Sequence, residues 1–109
     1  MLEVTFHRDS RNRLSSVSAN GHAAFAPYGD DIVCAGVSAV LQAARLGLER
    51  YANAPVDARQ SSGELVLRWP TAMRDDAAVA AIVATAELSV RQIASQYPDH
   101  VVVRDAVEE

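Results

Sequence analysis

A histidine and the chain's one cysteine stand twelve residues apart, His22 and Cys34, and these two residue types can share nucleophilic chemistry. A thiol attacks as its thiolate, so it needs a base, a helix N-terminus or both to lower its pKa. The local sequence offers both. The segment from Ile32 to Tyr51 predicts a helix, Asp30 or Asp31 is a natural cap for it, and Cys34 then falls in its first turn, where the macrodipole favours an anion. The N–H groups near Ile32 to Ala35 would be the nearest oxyanion donors for acyl transfer.

Each of these residues also has a plainer role. A cysteine taken alone is more often a small buried hydrophobe than a nucleophile, and a strand-end histidine often just bonds backbone. Asp31 either orients His22, completing a nucleophile–base–orienter set, or caps the helix. If both Asp30 and Asp31 stay ionised beside Cys34 they raise its pKa, which a nearby imidazolium offsets. Ser38 lies one turn beyond Cys34 on the same face, placed either to bond near the thiol or to back-bond its own helix. Gly21 permits a close backbone approach or simply a turn. A metal site is not expected, because His7, His22, Cys34 and His100 lack close ligand spacing, and no cofactor is implied.

The run GHAAFAPYGDDIVCAGVSAV resembles the signature of the ribosomal-processing cysteine proteases, in which a Gly-His-Ala and a DIVCA-x-VS segment flank a short loop. That resemblance implies Cys34 as nucleophile and His22 as general base, with Asp31, Ser38 and Gly21 in supporting roles. It implies a substrate too: the N-terminal extension of a large-subunit ribosomal protein, number twenty-seven, cut after aromatic residues. It also implies a homodimer. An aromatic-accepting cleft would need apolar walls, for which Phe25, Tyr28 and Gly29 in the loop are candidates. Pro27 departs from the flexible residue the pattern leads one to expect there. Two other classes remain open, a non-catalytic ribosome-assembly or protein-interaction module with the same fold, and a thiol hydrolase acting on another substrate.

The elements that must position these residues follow from periodicity. Leu2, Val4 and Phe6 alternate with polar residues, which predicts a strand; Leu14 to Asn20 predicts a weaker one that delivers His22 at its end. Pro27 and Gly29 interrupt both periods, so residues 23–29 are expected to form a loop, a lid over the thiol. Val33, Val37, Val40, Leu41, Ala44 and Leu48 make the apolar stripe of the first helix. Val56 to Gln60 and Glu64 to Trp69 predict a hairpin about Ser61-Ser62-Gly63. A second helix is expected from about Asp75 to Tyr97, then a strand Val101 to Arg104 buried on both faces, with Ala106 to Glu109 frayed. The order ββαββαβ suits an α+β fold, a mostly antiparallel sheet with two helices, in a single cysteine-protease-like domain spanning 1–109.

Composition narrows the classes. The chain has 109 residues, half of them hydrophobic, and a net charge of −4 with no lysine. That balance argues against direct nucleic-acid binding, which leans on clustered cations. One cysteine, no evident leader, and apolar stretches broken by charges lead us to expect a cytoplasmic protein with no membrane partner. Arg45, Glu49, Arg50 and the Arg74-Asp75-Asp76 cluster read as solvated faces, and Leu88 as a possible dimer contact off the second stripe.

Overall fold

The computed structural model describes residues 1–21 and 28–108, those of 28–31 by backbone alone. Five strands and two long helices follow the expected order: β1 (Leu2–Arg8), β2 (Leu14–Asn20), α1 (Tyr28–Leu46), β3 (Asp57–Ser61), β4 (Glu64–Arg68), α2 (Ala77–Gln96) and β5 (Val101–Val107). The sheet order is β3-β4-β2-β1-β5. Three of its pairings are antiparallel. The fourth, β1 with β5, is parallel, as it must be when the connection returns through a crossover helix.

Alternation decides which face is covered. Leu2, Val4 and Phe6 of β1, Val17 and Ala19 of β2, and Leu65 and Leu67 of β4 are buried on one side of the sheet. Against them lie Val33, Val37, Leu41, Ala44 and Leu48 from the first helical run, and Val79, Val83, Ala86 and Val90 from α2. Phe6, Leu41, Leu48 and Leu67 are among the largest fully buried side chains. Truncating a leucine of this kind to alanine costs about 2–5 kcal/mol. Both helices, taken as Ile32–Tyr51 and Ala77–Gln96, are long and apolar enough to cross a bilayer by length and composition, which the expectation of charge-broken stretches understated. Within the fold each turns its buried stripe onto the sheet and the other helix.

Several boundaries differ from expectation for identifiable reasons. The first helix starts at Tyr28 rather than Ile32, so Tyr28 and Gly29 are its first residues and not part of a loop, and Asp30 and Asp31 lie inside it rather than capping it. It continues as a π-helical turn, Gly47–Tyr51, and ends where Asn53 takes a positive φ of 55°, a helix-terminating conformation that asparagine tolerates. Asp76 caps α2 by accepting from the Val79 N–H at 3.1 Å. β5 is an edge strand with Val101 buried but Val102 and Val103 only half-buried, so its valine run does not mark burial on two faces. It also extends through Val107, and the Glu108 N–H donates to the Arg8 carbonyl at 2.7 Å; the tail is paired there, not frayed.

Candidate active site

The strand ends where β1 begins and β2 finishes open onto a cleft of about 170 Å³ between the sheet and α1. Leu2, Ala19 and Leu65 from the sheet and Val37 and Leu41 from the helix give it apolar walls. Cys34 and Ser38 line it from α1, Gly21 from the end of β2, and Gln60, Ser61, Gly63 and Glu64 from the β3–β4 hairpin. Three of the residues singled out in the sequence therefore meet at one cavity. Cys34 is half-buried, and Ser38 is exposed one turn along the same face. Among the described residues, Thr85 and Ser89 of α2 back-bond to carbonyls four residues earlier; Ser38 has no such bond.

Gly21 is glycine for a backbone reason. Its φ is +106°, and a Cβ there would run into the carbonyl oxygen of Met1. Its N–H donates to the Gly63 carbonyl at 3.1 Å, tying the end of β2 to the hairpin turn. Gly21, the residue before His22 in the sequence, is thus a fixed point on the cleft wall. His22 and Phe25 themselves lie outside the described residues, as do the side chains of Tyr28, Gly29 and Asp31.

The earlier helix start changes the electrostatic argument. A helix leaves N–H groups unbonded in its first turn, which here is 28–31, and the macrodipole's influence fades within that turn. Cys34 lies in the second turn, and the N–H groups of Ile32 to Ala35 are committed to the helical ladder. Those N–H groups are therefore not the source of an oxyanion hole.

The sequence reading missed the far rim of the cleft. Gln42 continues the face of Cys34 and Ser38 at four-residue spacing, a signal that was available, and its Nε2 donates to Gln60 Oε1 at 3.0 Å. That bond joins α1 to the edge strand β3. Gln60, Ser61 and Glu64 reach the cleft only because the hairpin folds back beside α1, which no local pattern encodes.

The open end of the sheet thus presents a half-buried thiol on the wall of a cleft. Residues 1–102 match the family model described as cysteine protease Prp. The chain belongs to that family. The ribosomal processing cysteine protease Prp of Bacillus subtilis (strain 168) is 44% identical over 41 residues, which span 38% of this chain and 37% of that protein. SMU.848 from Streptococcus mutans superposes with a TM-score of 0.88 at 27% identity, over 99% of this chain and 96% of that one. The essential ribosomal processing protease Prp from S. aureus, solved in complex with a substrate peptide, has the same fold with a TM-score of 0.87 at 24% identity, covering 96% and 99%.

Proposed function

We propose that this chain is a cysteine endopeptidase that removes the N-terminal extension of large-subunit ribosomal protein number twenty-seven during ribosome maturation. The observation that carries the reading is Cys34 on the wall of an apolar cleft in a chain that matches the Prp family over residues 1–102. In this reading His22 takes the proton of the Cys34 thiol, and the thiolate attacks the scissile carbonyl. The tetrahedral intermediate collapses as His22 protonates the leaving amine, and a thioester remains. Water, deprotonated by His22, then releases the acid and restores the thiol. Asp31 orients His22, Ser38 supports the thiol's face, and Gly21 fixes the strand end from which His22 departs.

The cleft's dimensions support a bulky apolar residue before the cut. An apolar cavity of roughly 150 Å³ holds a benzene ring, and this cleft is of that size. We further propose that 1–109 acts as one domain, that the protein works in the cytoplasm without binding nucleic acid directly, and that it pairs as a homodimer. Support for the pairing is the groove between α1 and α2, lined by Val40, Ala43, Ala44, Ile82 and Ala86, with Leu88 exposed nearby.

The test is to incubate the purified protein, and separately Cys34→Ala, with the host's full-length ribosomal protein number twenty-seven and to read intact masses. Loss of a short N-terminal peptide with the native protein alone is the expected result. No cleavage, with Cys34 still reactive toward iodoacetamide, would point to a thiol hydrolase with another substrate. No cleavage and an inert thiol would leave a non-catalytic module.

A further inference from the structure

Gln42 continues the Cys34–Ser38 face of α1 along the cleft, eight residues after the thiol and so about 12 Å along the helix axis. Across the cleft from it stands Gln60 of β3. The register partner of Gln60 is the buried Leu65, which puts the Gln60 side chain on the helix-facing side of the sheet, and Gln42 Nε2 donates to Gln60 Oε1 at 3.0 Å. Among the described residues that is the one side-chain hydrogen bond either glutamine makes. A primary amide offers two N–H groups and a carbonyl oxygen. One shared bond therefore leaves Gln42 Oε1 and Gln60 Nε2 open, an acceptor and a donor on adjoining amides.

Depth separates these amides from the apolar walls. Leu41 and Leu65 are only 1% and 7% exposed, whereas Gln42 is half-buried and Gln60 exposed, so the leucines form the floor of the cleft and the glutamines its rim. A peptide whose apolar side chain fills the floor carries its main chain at the level of the rim. An extended chain advances about 3.3 Å per residue and turns the N–H and C=O of a given residue toward the same side. The Gln42 side chain leans back toward the helix N-terminus, and a chain joined to Cys34 thus passes the amide pair about two to four residues from the scissile bond.

We propose that Gln42 and Gln60 form a main-chain binding subsite for the substrate peptide, in which Gln42 Oε1 accepts the N–H and Gln60 Nε2 donates to the C=O of one residue about two to four positions before the cut. The proposal rests on the cleft being the peptide-binding site of a protease. Every residue of a peptide except proline offers that donor and acceptor, so the subsite holds the chain in place without reading its side chains. The bond between the two amides ties α1 to the edge strand β3, so both open groups are oriented before the peptide arrives. Each new bond contributes about a twofold to tenfold gain in affinity.

The experiment uses Cys34→Ala protein, so that affinity is read without turnover, and fluorescein-labelled peptides spanning the N-terminal region of the host ribosomal protein. Each peptide bond before the cleavage site is replaced in turn by an ester, which removes one N–H and leaves the side chains unchanged. Anisotropy titrations are expected to show one ester, about two to four residues before the cut, binding about twofold to tenfold more weakly than the all-amide peptide. Adding Gln42→Leu weakens the all-amide peptide to the same degree and abolishes the penalty of that ester alone. Gln60→Glu keeps an acceptor for Gln42 Nε2, and with it the tie between α1 and β3, but exchanges the open donor for a carboxylate; the all-amide peptide again binds more weakly while the melting temperature holds. An ester penalty that survives in Gln42→Leu, or a Gln60→Glu protein that binds as tightly as its parent, reduces the glutamine pair to a structural tether and overturns the subsite while leaving the protease reading intact. Failure of every peptide to bind overturns both.

Discussion

The two ends of the sheet are built on opposite plans. Where β1, β4 and β5 stop and β2 starts, charges are locked together. Arg8 donates two bonds to Glu87 at 2.9 and 3.0 Å, and Arg91 joins both Glu87 and Asp105 while lying over the Phe6 ring at 5.5 Å. Arg74, nearly buried, donates to the Trp69 carbonyl and to Asp9. Glu108 accepts from Ser15, Ser16 and Arg68, and these donors hold its carboxyl below the usual carboxylate range although burial pushes the other way. At the opposite end Cys34, Ser38 and Gln60 line an open cleft with no arginine among its described walls. One end uses its charges to hold the strands together; the other gathers its polar groups around a cleft.

That division predicts which substitutions change activity and which change stability. The largest effect falls on the cleft: Cys34→Ala lowers kcat by about four orders of magnitude or more, and its melting temperature stays close to that of the native protein because a half-buried sulfur contributes little packing. A melting temperature that fell as far as it does on breaking the clamped end would erase the distinction between the two ends.

At the clamped end the reverse is expected. Glu87→Ala strands Arg8 and Arg91 and Arg74→Met leaves the Trp69 carbonyl without its guanidinium, each costing roughly 2 kcal/mol once partial exposure of the arginines is allowed for. Urea melts measure this, and kcat/KM on a peptide below the transition should be preserved. Loss of activity in the folded Glu87→Ala protein would show that the far end also shapes the cleft.

Gly21→Ala tests the seam between the two. The positive φ and the Met1 carbonyl together make any Cβ strained, at a cost of about 1–3 kcal/mol. Here stability and activity are expected to fall together, since the backbone that must shift forms part of the cleft wall beside Cys34. Stability loss with unaltered kcat/KM would mean that His22 is positioned by something other than Gly21.

The same contrast explains what could be read from the chain. β2 was legible to the residue because Val17 and Ala19 alternate with serines, and α2, expected from about Asp75 to Tyr97 and found at Ala77–Gln96, because its apolar stripe repeats cleanly up to Pro98. Cys34, Ser38 and Gly21 line one cleft, a meeting that their types and spacing allowed without deciding. What escaped was long-range. Arg74 looked like part of a solvated Arg-Asp-Asp cluster, yet it is buried against Trp69 and paired with Asp9, sixty-five residues away in sequence. The valines of β5 looked doubly buried because a run of β-branched residues does not say whether one face of the sheet is covered or both. Gln60 carries no local mark of lying on the cleft beside Gln42, and it does so through the fold of a hairpin. The helix start was misplaced because Asp30 and Asp31 suit a cap and a first turn equally well.

The smallest expected effect is at the turn that begins the clamped end. Burial pushes the Asp9 carboxyl upward, but the Arg13 N–H, the Arg74 guanidinium and the Arg11 N–H together hold it at about 2, below its ordinary 3.8. Native Asp9 therefore stays ionised where the unfolded chain's carboxyl takes up a proton. Its contribution to stability is complete above pH 3.8 and is lost as the pH falls toward 2. Melting temperatures followed from about pH 5 down to about pH 2 should decline for the native protein, and Asp9→Asn should start lower but lose less across that range. The activity of the Asn variant at neutral pH should track the native value, because the Asp9 turn lies at the end of the sheet away from Cys34. If Asp9→Asn instead declines as steeply as the native protein, the acid limb belongs to another carboxylate of the clamped end, with Glu108 the next to substitute.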